Sequence, residues 1–176
     1  MQKLIINIKE KYITNNPDQT QRLGEKQAKK IRQLADKRAA KKTAVVLGLQ
    51  GDLGSGKTTF LQGLAKGLGI KEKILSPTFI IFRKFQIPNP NDQSNPKSQI
   101  PKFKYFYHFD CYRIKNSKEI LELGFKEIIS NKKNIVAIEW PDKIKNILPK
   151  SAIIIKFKFI SEKTRELTTG KFDKVF

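Results

Sequence analysis

The sequence predicts an α/β domain in three layers, a mostly parallel central sheet flanked by helices. Three observations predict it. Residues 43–49 form a Val- and Leu-rich run without polar alternation, the pattern of a strand covered on both faces. That run leads through glycines into a helical segment at 57–68. Further strand-like runs alternate with helical stretches along the rest of the chain, an order that builds a layered parallel sheet. The 176 residues fit one domain over 1–176. A chain of this size buries roughly 70% of its unfolded surface and needs no covalent staples.

A first short strand is expected at 3–8. Asn15, Asn16, Pro17 and Asp18 then supply turn and cap chemistry before a helix at about 19–40. Leu23, Ala28, Ile31, Leu34 and Ala35 are spaced for one apolar face of it. The strand at 43–49 and the helix at 57–68, ended by Gly69, come next. Residues 79–85 and 103–109 are aromatic and β-branched and read as strands. The stretch between them, 86–102, carries four prolines (Pro88, Pro90, Pro96 and Pro101) and little apolar content, so it reads as a solvated, mobile connection. A helix capped by Ser117 is expected at 117–123, with a further turn at 125–129. Residues 135–138 form a short apolar strand. In a last strand at 152–160, Lys156 and Lys158 alternate with Phe157 and Phe159, which leaves one face wet. There is no internal repeat.

Composition narrows the function classes. Lys plus Arg number 36 against 16 Asp plus Glu, a net charge of +20, and only six of the basic residues are Arg. Lys arrives with abundant Ile and Asn, the pattern of an A- and T-rich coding sequence. The charge reads either as a solvated basic surface or as a face that meets an acidic protein or RNA. A single cysteine, Cys111, excludes a disulfide framework and fits a reducing compartment. No apolar run approaches the roughly 18 residues of a membrane span, and residues 1–12 do not form a signal peptide. The expected location is cytoplasmic, with no membrane partner.

One motif carries chemistry. Gly51, Asp52, Leu53, Gly54, Ser55, Gly56, Lys57, Thr58 and Thr59 fit the phosphate-binding pattern G-x-x-x-x-G-K-[ST], with a buried strand before it and a helix after it. The glycines let the backbone wrap a phosphate and turn its N–H groups inward, and the helix points its positive end at the same anion. Lys57 is set to reach the β- and γ-phosphates, and the Thr58 hydroxyl to ligate Mg²⁺. The motif predicts nucleotide binding. Guanine-specific relatives read the base with Asn-Lys-x-Asp. The nearest string here, Asn131-Lys132-Lys133-Asn134, lacks the carboxylate, so ATP is preferred over GTP.

Other candidates sit at strand ends, where α/β proteins bind ligands. Glu139 closes the apolar strand 135–138 and reads either as a Mg²⁺-side ligand or as a solvent-facing charge. Asp110 ends another strand, as a residue that orients or deprotonates an attacking water or acts through the metal. His108, the one histidine, reads as a packed, hydrogen-bonded residue rather than a catalyst. Arg113 either offsets phosphate charge or forms a structural salt bridge, and Cys111 is a small core residue.

Taken in order, the P-loop, Ser76-Pro77-Thr78-Phe79, His108-Phe109-Asp110-Cys111-Tyr112-Arg113 and Glu139-Trp140 resemble the TsaE family, small bacterial ATPases of the tRNA threonylcarbamoyladenosine pathway. The likeness covers about 19–165. It implies a P-loop α/β fold, binding of ATP and Mg²⁺, and slow hydrolysis by the isolated protein. It also implies work with the TsaD and TsaB proteins, reaching adenosine 37 of tRNA only through that complex. By motif match it implies that Lys57 and Thr58 are phosphate and metal residues, that Glu139 is the second metal-side ligand, and that Asp110 is the catalytic carboxylate. Residues 76–79 match a switch-like segment, and Trp140 matches a tryptophan near the nucleotide. Asp18 to Thr20 and the Thr164-Arg165 pair fall where the family approaches the adenosine. The connection at 86–102 is longer than the hairpin expected in relatives.

The rival reading is a small-molecule P-loop kinase. Such kinases close an Arg-rich lid over the phosphates, whereas 86–102 contains no Arg. A third class is a nucleotide-dependent binding module without turnover.

Overall fold

The computed structural model of the chain describes residues 10–37, 43–76, 80–89 and 103–171. Its strands are β1 (Lys11–Thr14), β2 (Val45–Gln50), β3 (Phe82–Gln86), β4 (Tyr105–Asp110), β5 (Asn134–Glu139), β6 (Ile153–Phe159) and β7 (Arg165–Lys171). The helices are α1 (Pro17–Lys37), α2 (Lys57–Gly67), α3 (Ser117–Glu122) and α4 (Phe125–Ser130), with a 3₁₀ turn at Pro141–Ile144. One sheet holds all these strands in the order β1-β7-β6-β2-β5-β4-β3. Strands β6, β2, β5 and β4 pair in parallel, so the expected parallel sheet forms its centre. Antiparallel pairs add β3 at one margin, and β7 and then β1 at the other.

Alternation along the strands creates two cores. Val45, Leu47, Leu49, Ile135, Ala137, Ile155 and Phe157 pack with Leu23, Ala28 and Ile31 of α1 and with Phe60, Leu61 and Leu64 of α2. On the other face Val46, Val136, Ile138 and Ile154 meet Ile120 of α3, Phe125 of α4 and Ile144 of the 3₁₀ turn. Each fully buried side chain of this size contributes about 1.5–3 kcal/mol, so both layers hold the sheet in place. Helices α1 and α2 approach backbone to backbone. A Cβ on Gly63 would fall on the Gln21 carbonyl, and one on Gly24 on the Phe60 carbonyl. That contact fixes the start of α2, and hence the loop before it, against α1.

The expected strand at 3–8 lies outside the described residues, as do 38–40 at the end of the first expected helix and 90–102 of the Pro-rich connection. Two strands were not anticipated, β1 and β7. In β7, Leu167 is the one large apolar residue and is fully buried. Its membership rests on pairing with β6 and β1 rather than on periodicity. Residue 117 does not cap α3. Asn116 does, accepting from the Lys118 N–H at 3.0 Å while Glu119 accepts from the Asn116 N–H at 2.8 Å, a reciprocal capping box. Ser117 instead takes a hydrogen bond from Asn146 Nδ2 at 2.9 Å. The wet face expected of β6 is present, with Lys156 and Lys158 exposed and Phe157 buried, but Phe159 at the strand's end is also exposed and carries the Arg165 guanidinium on its ring. Among the described residues no helix is long and apolar enough to cross a membrane.

Candidate functional site

Sheet register assembles the site. Leu49, the penultimate residue of β2, lies opposite Glu139 of β5, and Glu139 lies opposite Asp110 of β4. Three neighbouring parallel strands thus end at one level, and the loop at 51–56 leaves from the same edge. Gly51, Gly54 and Gly56 have φ of 151°, 73° and 96°. Those conformations strain any L side chain, and at Gly51 a Cβ would also meet the Phe157 carbonyl at 2.5 Å. The loop can take this path only with glycine.

Lys57 opens α2 and turns back over the loop. Its Nζ donates to the Gly51 carbonyl at 2.7 Å and the Asp52 carbonyl at 2.8 Å, and lies 4.4 Å from the centre of the Trp140 ring. Burial pushes its pKa below the ordinary lysine value, against the pull of Glu139 and Asp110. A desolvated ammonium held by two neutral carbonyls can exchange them for an anion. Thr58, the next residue, donates its hydroxyl to Glu139 at 3.1 Å. A hydroxyl that gives its proton to a carboxylate turns a lone pair outward, a donor set suited to a hard divalent cation. Among the described residues no group of three or more His, Cys, Asp or Glu side chains gathers around a metal position. Two oxygen donors leave room for a cation that would complete its shell with phosphate oxygens and water, as Mg²⁺ usually does.

Asp110 is held at both oxygens, by the Ser76 hydroxyl at 2.7 Å and the Tyr112 N–H at 3.0 Å. Pro77, Thr78 and Phe79 of the switch-like segment lie outside the described residues. Trp140 directly follows Glu139 and adopts a left-handed conformation, φ 59° and ψ 52°, that costs a non-glycine residue on the order of 1–3 kcal/mol. Its N–H donates to the Leu49 carbonyl, and its ring packs on Tyr112 with centroids 5.1 Å apart. The bend points the ring back over the loop.

The loop's other flank is formed by α1 and the turn between β6 and β7. Thr20 is buried and shares a 2.8 Å hydrogen bond with Thr14. A Cβ on Gly56 would lie 3.8 Å from Arg165 Cγ and 3.9 Å from Thr20 Cγ2. The Arg165 guanidinium donates to the Gly54 carbonyl at 3.1 Å and stacks on Phe159. Arg165 is a loop-binding residue that sequence reasoning placed only as half of a pair. Thr164 itself faces Asn15, with oxygens 3.5 Å apart. Leu53 is exposed, and Cys111 is buried with its thiol pKa pushed up to about 12 by burial, in keeping with a core role. A crevice of about 530 Å³ beside the loop is lined by Gln50, Asp52, Trp140, Asp142, Lys156 and Lys158. It does not include Lys57, Thr58, Glu139 or Asp110, so the polar groups converge elsewhere.

A family model described as threonylcarbamoyl adenosine biosynthesis protein TsaE matches residues 14–167. The chain belongs to the TsaE family. It is 34% identical to the tRNA threonylcarbamoyladenosine biosynthesis protein TsaE of Bacillus subtilis over 90% of this chain and 83% of that protein. It is 35% identical to the protein of the same name from Rickettsia typhi, over 73% and 78% of the two chains. The crystal structure of Bacillus subtilis YdiB superposes with a TM-score of 0.63 and 28% identity, covering 93% of this chain and 86% of that one. TsaE membership assigns the chain to threonylcarbamoyladenosine biosynthesis, a tRNA-processing function.

Proposed function

We propose that this chain is the ATP-binding, Mg²⁺-dependent ATPase subunit required to form the threonylcarbamoyl group on adenosine 37 of tRNAs, acting with TsaD and TsaB. The observation that carries this reading is the convergence of Lys57, Thr58 and Glu139 at the start of α2, one strand away from Asp110. Lys57 exchanges the Gly51 and Asp52 carbonyls for β- and γ-phosphate oxygens. Thr58 and Glu139 hold Mg²⁺, which when bound offsets phosphate charge and orients the leaving group. Asp110 accepts the proton of the attacking water. Thr20, Thr164 and Arg165 flank the adenosine side of the loop, and Trp140 its phosphate side.

The Ser76 hydroxyl and the Tyr112 N–H occupy both Asp110 oxygens. A carboxylate in that state is a poor base, so the isolated chain turns over slowly. A partner that draws Ser76 away frees one oxygen. Steady-state phosphate release tests this, measured for the chain alone, with TsaD and TsaB, and with tRNA only. The expected result is low release alone and a rise with the protein pair. High turnover by the isolated chain, stimulation by tRNA without the pair, or label transferred to a small acceptor would overturn it.

A further inference from the structure

His108 is fully buried on β4, beside Ala137 of β5, on the sheet face that carries Asp110 and Glu139. Its Nε2 lies 2.9 Å from Glu139 Oε1. Its Nδ1 is buried with no hydrogen-bond partner among the described residues. Glu139 receives the Thr58 hydroxyl as well, so two donors converge on one carboxylate that is itself 3% exposed. With the Thr58 hydroxyl and the ring both directed at its oxygens, Glu139 is the acceptor, which puts the ring proton on Nε2. The bare Nδ1 is then a buried acceptor rather than a buried N–H.

Resting on the reading of Glu139 as a Mg²⁺-side ligand, we propose that His108 is a positioning residue. As the Nε2–H tautomer it pins Glu139 Oε1 and so presents the Glu139 carboxylate and the Thr58 hydroxyl to the cation in one orientation. A glutamate side chain on a strand end has three rotatable bonds. Thr58 alone, donating to Oε1 at 3.1 Å and Oε2 at 3.4 Å, does not choose between the two oxygens. His108 does, because its ring is wedged in the sheet and bonds to one of them. Neighbours that orient ligating carboxylates typically matter by about 10–100-fold in metal affinity. The ring is fully buried and its Nε2 is engaged by Glu139, so its action passes through Glu139.

The experiment uses the full chain and a non-hydrolysable ATP analogue, titrated by calorimetry in Mg²⁺ and in EDTA. For His108→Phe, the Mg²⁺ concentration giving half-maximal binding should rise about 10–100-fold, with EDTA affinity within about 2-fold of wild type. His108→Gln, whose amide nitrogen stands near the ring Nε2, should restore the Mg²⁺ requirement to within about 3-fold. His108→Asn, whose amide falls near Nδ1, should not. Because this is the one histidine, the imidazole ¹⁵N spectrum of the wild type reads its tautomer without assignment, and should show Nε2–H. An unchanged Mg²⁺ requirement in His108→Phe, equal losses in both arms without rescue by Gln, or an Nδ1–H tautomer overturns the proposal. A wild type that binds the analogue equally well with and without Mg²⁺ overturns the assignment of Thr58 and Glu139, and this proposal with it. A Mg²⁺-dependent wild type with an insensitive His108→Phe overturns this proposal alone.

Discussion

Replacing Lys57 by Met keeps an unbranched stem and removes only the ammonium. In the structure that group donates to two carbonyls at 2.7 and 2.8 Å and sits 4.4 Å from the Trp140 ring centre. Hydrogen bonds from a charged donor contribute about 1.5–3 kcal/mol each, and a desolvated cation–π contact about 2 kcal/mol. Against them stands the burial of an ammonium, which costs several kcal/mol. Desolvation is the largest influence on Lys57 and leaves its pKa below the ordinary 10.5. The opposing contributions nearly cancel, so Lys57→Met should change folding stability by about 1 kcal/mol or less. For a chain of this length that is a shift of about 2–4 °C in Tm. Affinity for ATP should behave differently. Losing one charged hydrogen bond to the triphosphate, about 1.5–3 kcal/mol, weakens binding roughly 10- to 150-fold. The sign with pH follows from the same burial. Between the depressed folded pKa and 10.5 the unfolded chain holds the extra proton, so wild-type stability gains an increment as pH rises through that window, and Lys57→Met lacks it. Calorimetric titration with Mg²⁺ and ATP, and thermal melts at neutral and alkaline pH, measure both quantities. Undiminished ATP affinity would refute the phosphate role. A fall in Tm beyond about 8 °C would show that the lysine is part of the fold rather than held ready for a ligand.

Asp110→Asn keeps shape and removes the proposed base. Phosphate release with TsaD and TsaB should fall by about 10²-fold or more while ATP affinity stays within about 3-fold, and normal turnover would make the residue structural. Gly63→Ala should destabilise the chain by about 1–3 kcal/mol in urea unfolding, although alanine is favoured in an isolated helix by about 1 kcal/mol, because the new Cβ meets the Gln21 carbonyl. A stabilised Gly63→Ala variant would mean that α1 and α2 are not in backbone contact.

The glycine loop at 51–56 was legible because its demands are local. Left-handed glycines, a lysine and a hydroxyl at fixed offsets, and a buried strand before a helix are all written in consecutive residues. The central strands were legible for a similar reason, since β2 and β5 are apolar on both faces and leave an unbroken run. Strand β7 was not, because Arg165–Lys171 has one large apolar residue, and its place follows from backbone pairing with β6 and β1. The cap of α3 fell one residue early because Asn and Ser both favour that position, and only the path of the chain decides which side chain faces the free N–H groups.

By itself the sequence determined which chemical groups the chain brings, and in which local frames: the glycine loop, Lys57, Thr58, and carboxylates at the ends of apolar strands. The tertiary structure alone decided who meets whom. Parallel register sets Glu139 between Leu49 and Asp110, the backbone contact of α1 and α2 fixes Thr58 near Glu139, and pairing at the sheet margin brings Arg165 to Gly54. The role of His108 belongs to this second kind. Thirty-one residues separate it from Glu139 in the chain, and its meaning depends on a neighbouring strand stopping at the same level. Side-chain preferences act over a few residues, whereas strand register is set by the burial of two whole sheet faces. For that reason the inventory of the site could be read along the chain and its wiring could not.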